Sequence, residues 1–320
     1  MRNAFANYLN KIAETDKNLF LLVGDIGFRI FDDFRKNHED KFLNCGIAEQ
    51  NMISVAAGMA SEGKRPIVYT IIPFLVMRAY EQIRVDIGIN NEAVLLVGVG
   101  GGLAYDKLGS THHAYEDICL MRCIPNMVVA APMDEVELRN MMYTAAEKQS
   151  GPFSIRYPRG TGTIINWRQP FEAIQIGQGR RLKTGSNIAL LSIGAIGSQV
   201  TNAIESLEKS GISAAHYDMR FVKPLDEVML HEIFGKFDSV ITVEDGCLMG
   251  GFGSAVTEFM GDNGYQAQMK RLGLGDHYVE HGTQAELYAE NGYDAAAIAA
   301  VAKELVAATA SSRSQNIQSA

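Results

Sequence analysis

Residues 42–63 read FLNCGIAEQNMISVAAGMASEG, a short apolar run that turns at Gly46 and continues as a predicted helix. Apolar side chains recur in this helix at the three-to-four spacing of one face, and small residues between them let another backbone approach closely. One carboxylate, Glu49, falls in the first turn. An acid at that position commonly does no more than complement the helix dipole. The rest of the chain must therefore decide whether Glu49 has another role.

Apolar strands and helices alternate along the chain on either side of this stretch. Short runs rich in branched apolar residues, such as 19–23 and 93–99, predict strands, and further predicted helices and strands follow each of them. This order is typical of a mostly parallel sheet covered on both faces by helices. We therefore predict an α/β protein with two three-layer α/β/α domains, over residues 1–160 and 185–310, with a Gly- and Pro-containing linker at 161–184 and a polar, disordered tail at 311–320.

Composition argues against several classes of protein. The 320 residues carry a net charge of −8, which disfavours a nucleic-acid-binding surface. No apolar run approaches membrane-spanning length, and the first residues predict an amphipathic helix rather than a signal peptide. The four cysteines lack zinc-ligand spacing and fit a reducing compartment. We expect a cytoplasmic protein that binds neither nucleic acid nor a membrane.

Glycine-rich or charged segments follow several of the predicted strands directly. Asp25, Gly46, the loop 98–110 and Arg159 all fall at the carboxyl ends of strands. Ligands of open parallel sheets bind at that edge, so these segments predict a site there. The loop has neither Walker spacing nor the dinucleotide fingerprint, and its glycines alone therefore indicate little.

Two pairs of residues near this edge each leave two interpretations open. His112 and His113 follow a strand-end loop, where a core role is poorly supported; they serve either in a site or as a helix cap and a solvated side chain. Arg156 and Arg159, in IRYPRG, either bind an anionic substrate group or hold the linker through a structural ion pair.

The chain resembles a known family in several segments. GIAEQNMISVAAGMA, PFLVMRAYEQIRVDI, LGSTHHAYEDICLMRCIPNMVVAAPMDE and IRYPRG are similar to the pyrimidine-binding domain of thiamine-diphosphate enzymes in the transketolase and deoxyxylulose-phosphate synthase group. VKPLDE, VEDGCLMGGFGSAV and HGTQAELYAENGYDAAAI resemble the C-terminal domain of the same group. The segments occur in order and cover almost all of residues 1–310.

The resemblance implies a task for Glu49 in binding and activating the cofactor. The matching glutamate of the family hydrogen-bonds N1′ of the aminopyrimidine ring and so promotes removal of the thiazolium C2 proton. Phe74 matches the aromatic residue on which the pyrimidine stacks, although by itself it would be interpreted as a core residue. Tyr80 and Met77 lie in the same predicted helix, where transketolases carry further aromatic residues, and are the other candidates for cofactor contact.

The resemblance also implies substrate-binding residues. His112 matches the histidine that contacts the donor sugar and helps to transfer protons, whereas the role of His113 is open. Arg159 matches the arginine that binds an acceptor phosphate. Two positions depart from the family pattern: Leu108 replaces an aspartate that reads an acceptor hydroxyl, and Gly100 and Gly101 lie where a basic residue helps to hold the phosphate. Three more candidates for substrate contact are Asp25, Arg29, which could replace that basic residue, and Arg156.

A partner chain is implied by a signature that we do not find. The family holds the cofactor diphosphate through Mg²⁺ in a separate domain, marked by Gly-Asp-Gly and a later Asn. The nearest segments here are GDI at Gly24 and EDG at Glu244. We therefore predict the C-terminal subunit of a split transketolase-like enzyme. The partner supplies the Mg²⁺ ligands, thiamine diphosphate is shared, and two copies of each chain form an α2β2 assembly.

The predicted activity is transfer of a two-carbon ketol unit between sugar phosphates. One alternative is a decarboxylating enzyme, either of the deoxyxylulose-phosphate-synthase type or the β subunit of a 2-oxoacid dehydrogenase. The other is a degenerate subunit that only scaffolds or regulates a partner. Retention of Glu49, Phe74 and His112 together favours an enzyme.

Overall fold

The first half of the chain forms the larger of two sheets. The computed structural model describes residues 1–148, 150–160, 164 and 166–318. Its first sheet has seven strands in the order β10-β5-β6-β4-β3-β1-β2, with every pairing parallel except that of β10 with β5. The elements of this half are α1 Arg2–Ala13, β1 Leu19–Val23, α2 Asp32–Asn37, β2 Phe42–Asn44, α3 Glu49–Ser61, β3 Arg65–Ile71, α4 Ile72–Val76, α5 Tyr80–Gln82, a π-helical segment Ile83–Ile89, β4 Leu95–Val99, α6 Asp117–Arg122, β5 Val128–Ala130, α7 Glu135–Lys148 and β6 Phe153–Tyr157.

The second half forms a five-stranded sheet in the order β12-β11-β8-β9-β7. Only its edge pairing, of β7 with β9, is antiparallel. The elements are β7 Arg180–Lys183, β8 Ile188–Ile193, α8 Gly197–Lys209, β9 Ala214–Asp218, β10 Phe221–Lys223, α9 Glu227–Lys236, β11 Ser239–Cys247, α10 Phe252–Asp262, β12 Gln268–Leu274, α11 Gln284–Glu290 and α12 Ala295–Gln318.

Burial on both faces explains why the strands are apolar throughout. In β1, Leu21 and Val23 pack into one core with Phe5 of α1, while Leu22 faces the opposite core with Met52 of α3. This alternation follows from the two-residue repeat of a strand. Helices therefore cover both faces of the first sheet, and the prediction of mostly parallel α/β domains is confirmed.

The chain departs from the predicted segments in four places. Strand β7 lies inside the expected linker 161–184, of which residues 161–163 and 165 are outside the described part. Strand β10 belongs to the second half but completes the first sheet. The predicted helix that was to contain Met77 and Tyr80 is divided into α4, α5 and a π-helical segment. Helix α12 runs to Gln318, through most of the expected disordered tail, and residues 319 and 320 of that tail are not described.

The carboxyl ends of β1, β2, β4 and β6 share one edge of the first sheet, as expected for parallel strands. The segments that follow them contain most of the predicted site residues. In the part of the chain that the structure describes, no helix is long and apolar enough to cross a membrane.

Candidate functional site

Glu49 is the first residue of α3, and its side chain is buried with 1% of its surface exposed. The turn before it is held by Asn44, whose side-chain oxygen accepts hydrogen bonds from the backbone N–H groups of Asp25 (3.2 Å) and Gly46 (3.0 Å). Gly46 adopts a φ of +71°, which favours glycine. The ends of β1 and β2 are thus tied together, and the chain turns sharply enough to aim Glu49 inward.

Arg78 is the ion-pair partner of Glu49. Its Nη1 atom lies 2.8 Å from the Glu49 Oε2 atom, and its guanidinium carbon lies 4.5 Å from the centre of the Phe74 ring. The helix stops at Val76 and resumes at Tyr80, so Arg78 lies in the interruption between α4 and α5. One planar cation therefore contacts both the buried acid and the aromatic ring that were singled out in the sequence.

His112 lies on the other side of Phe74. The two rings are 5.3 Å apart in an edge-to-face arrangement, and Thr111 Oγ1 is 3.0 Å from the His112 Nδ1 atom. Partial burial lowers the pKa of His112 below its usual value, so the imidazole is neutral at pH 7. The backbone turn at Gly109, with a φ of +70°, accepts the His112 N–H and positions the ring.

Tyr105 connects His112 to Arg159. Its ring lies 5.8 Å from the His112 ring and 5.2 Å from the Arg159 guanidinium carbon. The ring also packs on Gly100, where an added Cβ would come within 2.0 Å of it. Six side chains therefore form one continuous row at the sheet edge: Glu49, Arg78, Phe74, His112, Tyr105 and Arg159.

The structure places three predicted site residues outside this row. Arg156 is buried, with its Nε atom 2.8 Å from Asp117 Oδ2, and it also donates to two backbone carbonyls. Its ion pair joins β6 to α6, whereas the sequence had left open substrate binding or an ion pair that holds the linker. His113 is buried with 1% of its surface exposed, so it does not face the site. Tyr80 donates to the Leu120 carbonyl at 2.9 Å and packs against the core. Burial closes off Arg156 and His113, whereas Tyr80 is only partly buried.

Three other candidates, and Leu108 at a position that departs from the family pattern, are exposed. The Asp25 backbone N–H donates to the Asn44 side-chain oxygen, and the Asn44 side-chain NH2 group donates back to the Asp25 carboxylate. Arg29 adopts a φ of +66° in the loop after β1. Met77 is 38% exposed and Leu108 is 51% exposed. These side chains reach solvent in the single chain, where a ligand or a second chain can contact them.

A carboxylate of the second half holds the glycine-rich loop 98–110 in place. Asp245, at the end of β11, accepts the Leu103 backbone N–H at 3.2 Å and the hydroxyl groups of Tyr288 (2.7 Å) and Tyr293 (3.1 Å). A side chain on Gly102 would overlap the Asp245 carboxyl group, since its Cβ would lie 1.9 Å away. This anchor escaped sequence analysis because the residues that form it are far apart in the chain.

Arg78 and Tyr105 are the other members of the site that sequence analysis missed. Each carried a weak signal, a base in an apolar helix and an aromatic residue in a glycine-rich loop. Among the described residues, no group of three or more His, Cys, Asp or Glu side chains is arranged to hold a metal ion.

Both halves of the chain match domains of known proteins. The pyrimidine-binding domain of transketolase matches residues 1–163, and the transketolase C-terminal domain matches residues 177–298. The 1-deoxy-D-xylulose-5-phosphate synthase of Cytophaga hutchinsonii is 52% identical over 267 residues, which cover 83% of this chain and 42% of that protein. The synthase of Parabacteroides distasonis is 44% identical over 264 residues, again 42% of its length. The chain thus spans less than half the length of these curated relatives.

One similar structure matches almost the whole chain. It is described as "Split gene transketolase, inactive beta4 tetramer", with a TM-score of 0.84 and 31% identity over 96% of this chain and 97% of that one. The transketolase of Campylobacter jejuni shares the fold, with a TM-score of 0.77 and 18% identity over 93% of this chain and 45% of its own.

These matches define the class of α/β proteins built from a pyrimidine-binding domain and its companion C-terminal domain. The chain belongs to the transketolase family. Membership in that family implies thiamine diphosphate as the cofactor, and it confirms the resemblance that the sequence motifs predicted.

Proposed function

We propose that this chain is the C-terminal (β) subunit of a transketolase that transfers a two-carbon ketol unit between sugar phosphates. A partner chain would supply the diphosphate-binding domain and the Mg²⁺ ligands, in an α2β2 assembly in the cytoplasm. The observation that carries the proposal is the row from Glu49 to Arg159, in a chain that matches a split transketolase structure over 96% of its own length and 97% of that one.

The residues of the row suit the aminopyrimidine half of thiamine diphosphate. Phe74 offers an aromatic ring beside the buried Glu49 carboxylate, and the planar guanidinium of Arg78 already contacts both. A flat heteroaromatic ring with hydrogen-bonding nitrogens would be held by the same pair of groups. When bound, the cofactor supplies an acidic C2–H group and an electron sink for the carbon atoms being transferred.

The chain's own residues would then move protons and hold the substrate. Glu49 would share a proton with the ring nitrogen N1′ in a site from which water is excluded by burial. His112 is neutral and can accept or donate a proton at a substrate hydroxyl. Arg159 is exposed at the end of the row, where it would bind the phosphate of the acceptor.

A decarboxylating condensation of pyruvate is the second candidate, and a specific observation favours it. Two relatives named 1-deoxy-D-xylulose-5-phosphate synthase are 52% and 44% identical to the chain. The test mixes the chain with its partner, thiamine diphosphate and Mg²⁺, and supplies either a ketose phosphate with an aldose phosphate or pyruvate with an aldose phosphate. Ketol transfer supports the proposal. Carbon dioxide release without ketol transfer would replace it with the second candidate.

Glu49→Ala tests the role of the buried acid directly. In the assembled enzyme it should slow exchange of the cofactor C2 proton by roughly 10²–10⁴-fold, the usual contribution of a positioned acid–base group. Proton NMR of the exchange in deuterium oxide measures this rate, and sedimentation shows that the assembly persists. Glu62→Ala, at the exposed far end of α3, is the matched control and should exchange normally. Unchanged exchange in Glu49→Ala would remove Glu49 from this role.

A further inference from the structure

A cavity of about 610 Å³ lies where the two halves of the chain meet, at the carboxyl ends of β11 and β12. Helix α6 and the residues just before it form one wall, with Tyr115, Glu116 and Cys119. The loops that follow the two strands form the other wall. Open parallel sheets bind ligands at this edge. None of the described residues that line the cavity belongs to the row from Glu49 to Arg159.

Hydrogen bonds between the two halves hold the walls of the cavity in place. The Cys247 N–H donates to the Tyr115 carbonyl at 2.9 Å, and Arg122 Nη1 donates to the Gly250 carbonyl at 3.0 Å. Gly250 adopts a φ of +70°, and a Cβ at this position would lie 3.3 Å from the Cys119 Cβ, so the loop approaches α6 closely. The cavity is therefore already formed in the chain by itself.

Aromatic and sulfur-containing side chains line much of the cavity. Tyr278 is 79% exposed and Met249 is 65% exposed, although both are large and mostly apolar. The thiols of Cys119 and Cys247 line it as well. A cavity of this size, with an apolar lining and few polar groups, is typical of a site for a small organic molecule.

The charged groups of the cavity are carboxylates. Glu116 and Asp276 line it, and within the described part of the chain neither has an ion-pair partner. No lysine or arginine is among the described residues that line it. His277 lines it too, but its Nε2 atom lies 2.9 Å from Asn291 Oδ1 and is thus already engaged. The cavity therefore attracts a cation rather than an anion.

Tyr115 and Glu116 each have a buried oxygen atom without a partner. Tyr115 is 5% exposed, and its hydroxyl lies near the Val279 backbone without a hydrogen bond of good geometry. Glu116 Oε2 also makes no hydrogen bond among the described residues. Burial raises the pKa of the Tyr115 hydroxyl to about 12, and the Glu116 charge adds to that rise, so the hydroxyl stays a neutral donor. Because buried polar atoms are nearly always paired, these two indicate a ligand with a polar group.

An anion and a bare metal ion both fit this lining poorly. The first N–H groups of α10, which begins beside the cavity, already donate to the Glu244 carboxylate. The described residues include no group of three or more His, Cys, Asp or Glu side chains that could hold a metal ion. An ammonium group on an apolar body fits better, because aromatic faces attract a cation and a carboxylate accepts its charge-assisted hydrogen bonds.

We propose that this cavity binds an organic ammonium ion that carries an apolar body. The ammonium group lies between the Glu116 carboxylate and the rings of Tyr115 and Tyr278, and the apolar body packs on Met249 and the two thiols. The site is separate from the row that starts at Glu49, so the inference does not rest on the proposed function.

The test titrates the full chain with three probes that share a phenylethyl body and differ in charge. These are phenethylammonium, neutral 2-phenylethanol and the anion 3-phenylpropionate, and ligand-observed NMR measures their dissociation constants. Phenethylammonium should bind about tenfold or more tightly than the alcohol, and the anion should bind most weakly. Equal binding of all three, tighter binding of the anion, or no saturable binding of phenethylammonium up to about 10 mM would overturn the proposal.

Variants of the lining show whether the probe binds in this cavity. Glu116→Gln should weaken phenethylammonium binding about tenfold or more and leave 2-phenylethanol within about twofold, because only the ammonium group uses the charge. Tyr278→Ala, at an exposed position, should weaken the ammonium probe about threefold through the lost ring. Glu280→Gln removes an exposed carboxylate of the same loop that does not line the cavity, and it is the matched control, with binding expected within about twofold of the unaltered chain. Melting temperatures show that each variant folds. Unchanged ammonium binding in Glu116→Gln, or an equal loss for the ammonium and the alcohol, would contradict the site.

Discussion

The ion pair between Arg78 and Glu49 leads to a prediction at the scale of single residues. Glu49 is almost fully buried, whereas the Arg78 side chain is 44% exposed. Arg78→Met would leave the carboxylate without its cation, and an unsatisfied buried group costs roughly 1–3 kcal/mol. We expect the free energy of unfolding of the chain to fall by about 1 kcal/mol, the lower end, because solvent screens the exposed arginine. Urea denaturation measures the change.

The double variant provides the control for this pair. Glu49→Gln removes the charge that needs a partner, so adding Arg78→Met to it should cost little. The two changes should therefore be non-additive by more than 0.5 kcal/mol, above the roughly 0.3–0.5 kcal/mol seen for independent sites. Additive losses would show that Arg78 and Glu49 do not stabilise the fold through their contact.

The sequence motifs singled out several residues that lie in the row, but not the residues that neighbour them there. Glu49 and His112 lie in short segments whose residue types are unusual after a strand. The contact of Arg78 with Glu49 could not be predicted, because the direction in which the Arg78 side chain points depends on the helix interruption between α4 and α5. Arg156 and Arg159 could not be told apart, since only the packing of β6 shows that one is buried against Asp117.

At the scale of elements, Glu244 caps a helix from within the core. Its carboxylate oxygens accept the backbone N–H groups of Phe252 (2.7 Å) and Gly253 (2.8 Å) at the start of α10. Burial raises the pKa of Glu244 to about 7, although these two donors oppose the rise. An unfolded glutamate titrates near 4.5. Between these values the folded chain keeps a proton that the unfolded chain has lost.

The pH dependence of stability follows from that difference. The contribution of Glu244 is fully present below pH 4.5 and is lost as the pH rises to about 7, by at most about 1.4 kcal/mol per pH unit. Glu244→Gln should therefore show a shallower fall of the unfolding free energy over this range. Urea titrations of both proteins at several pH values measure the slopes. Glu290→Gln, at an exposed position, is the control and should keep the original slope; equal slopes for all three would contradict the prediction.

The long apolar strands and amphipathic helices were predictable, and the short edge strands were not. Strands β7 and β10 have four and three residues, too few to show a period, and their pairing is decided by contacts with distant strands. The π-helical segment Ile83–Ile89 has no signature in residue type, so its sequence predicts an ordinary helix.

At the scale of the whole molecule, two large apolar side chains are exposed in the segments that follow β1 and β2. Ile47, two positions before Glu49, is 77% exposed, and Phe28 in the loop after β1 is 73% exposed. Contiguous exposed apolar surface is typical of faces that another protein covers, and a variant at Ile47 tests whether this edge is such a face. Under the proposed function, Ile47→Asp should weaken assembly with the partner chain by roughly tenfold or more, because an unpaired charge would be buried. Light scattering after size exclusion measures the assembly.

The comparison variant for Ile47 is Val228→Asp. Val228 is 82% exposed at the start of α9, in the other half of the chain. Both variants should keep the melting temperature of the unaltered chain, since neither side chain is part of a core. Normal assembly of Ile47→Asp would show that this edge of the sheet does not face the partner.

Strand β10 also sets an order of events during synthesis. The first sheet pairs β5 with Phe221–Lys223, so its outer edge stays open while the ribosome makes the roughly 90 residues that separate β5 from β10. The two halves are therefore not independent folding units, although each has its own helices and core. A chimera that exchanges the second half for that of a relative must bring a strand that fits the host's β5, or the nascent chain is left with an edge that is prone to aggregation.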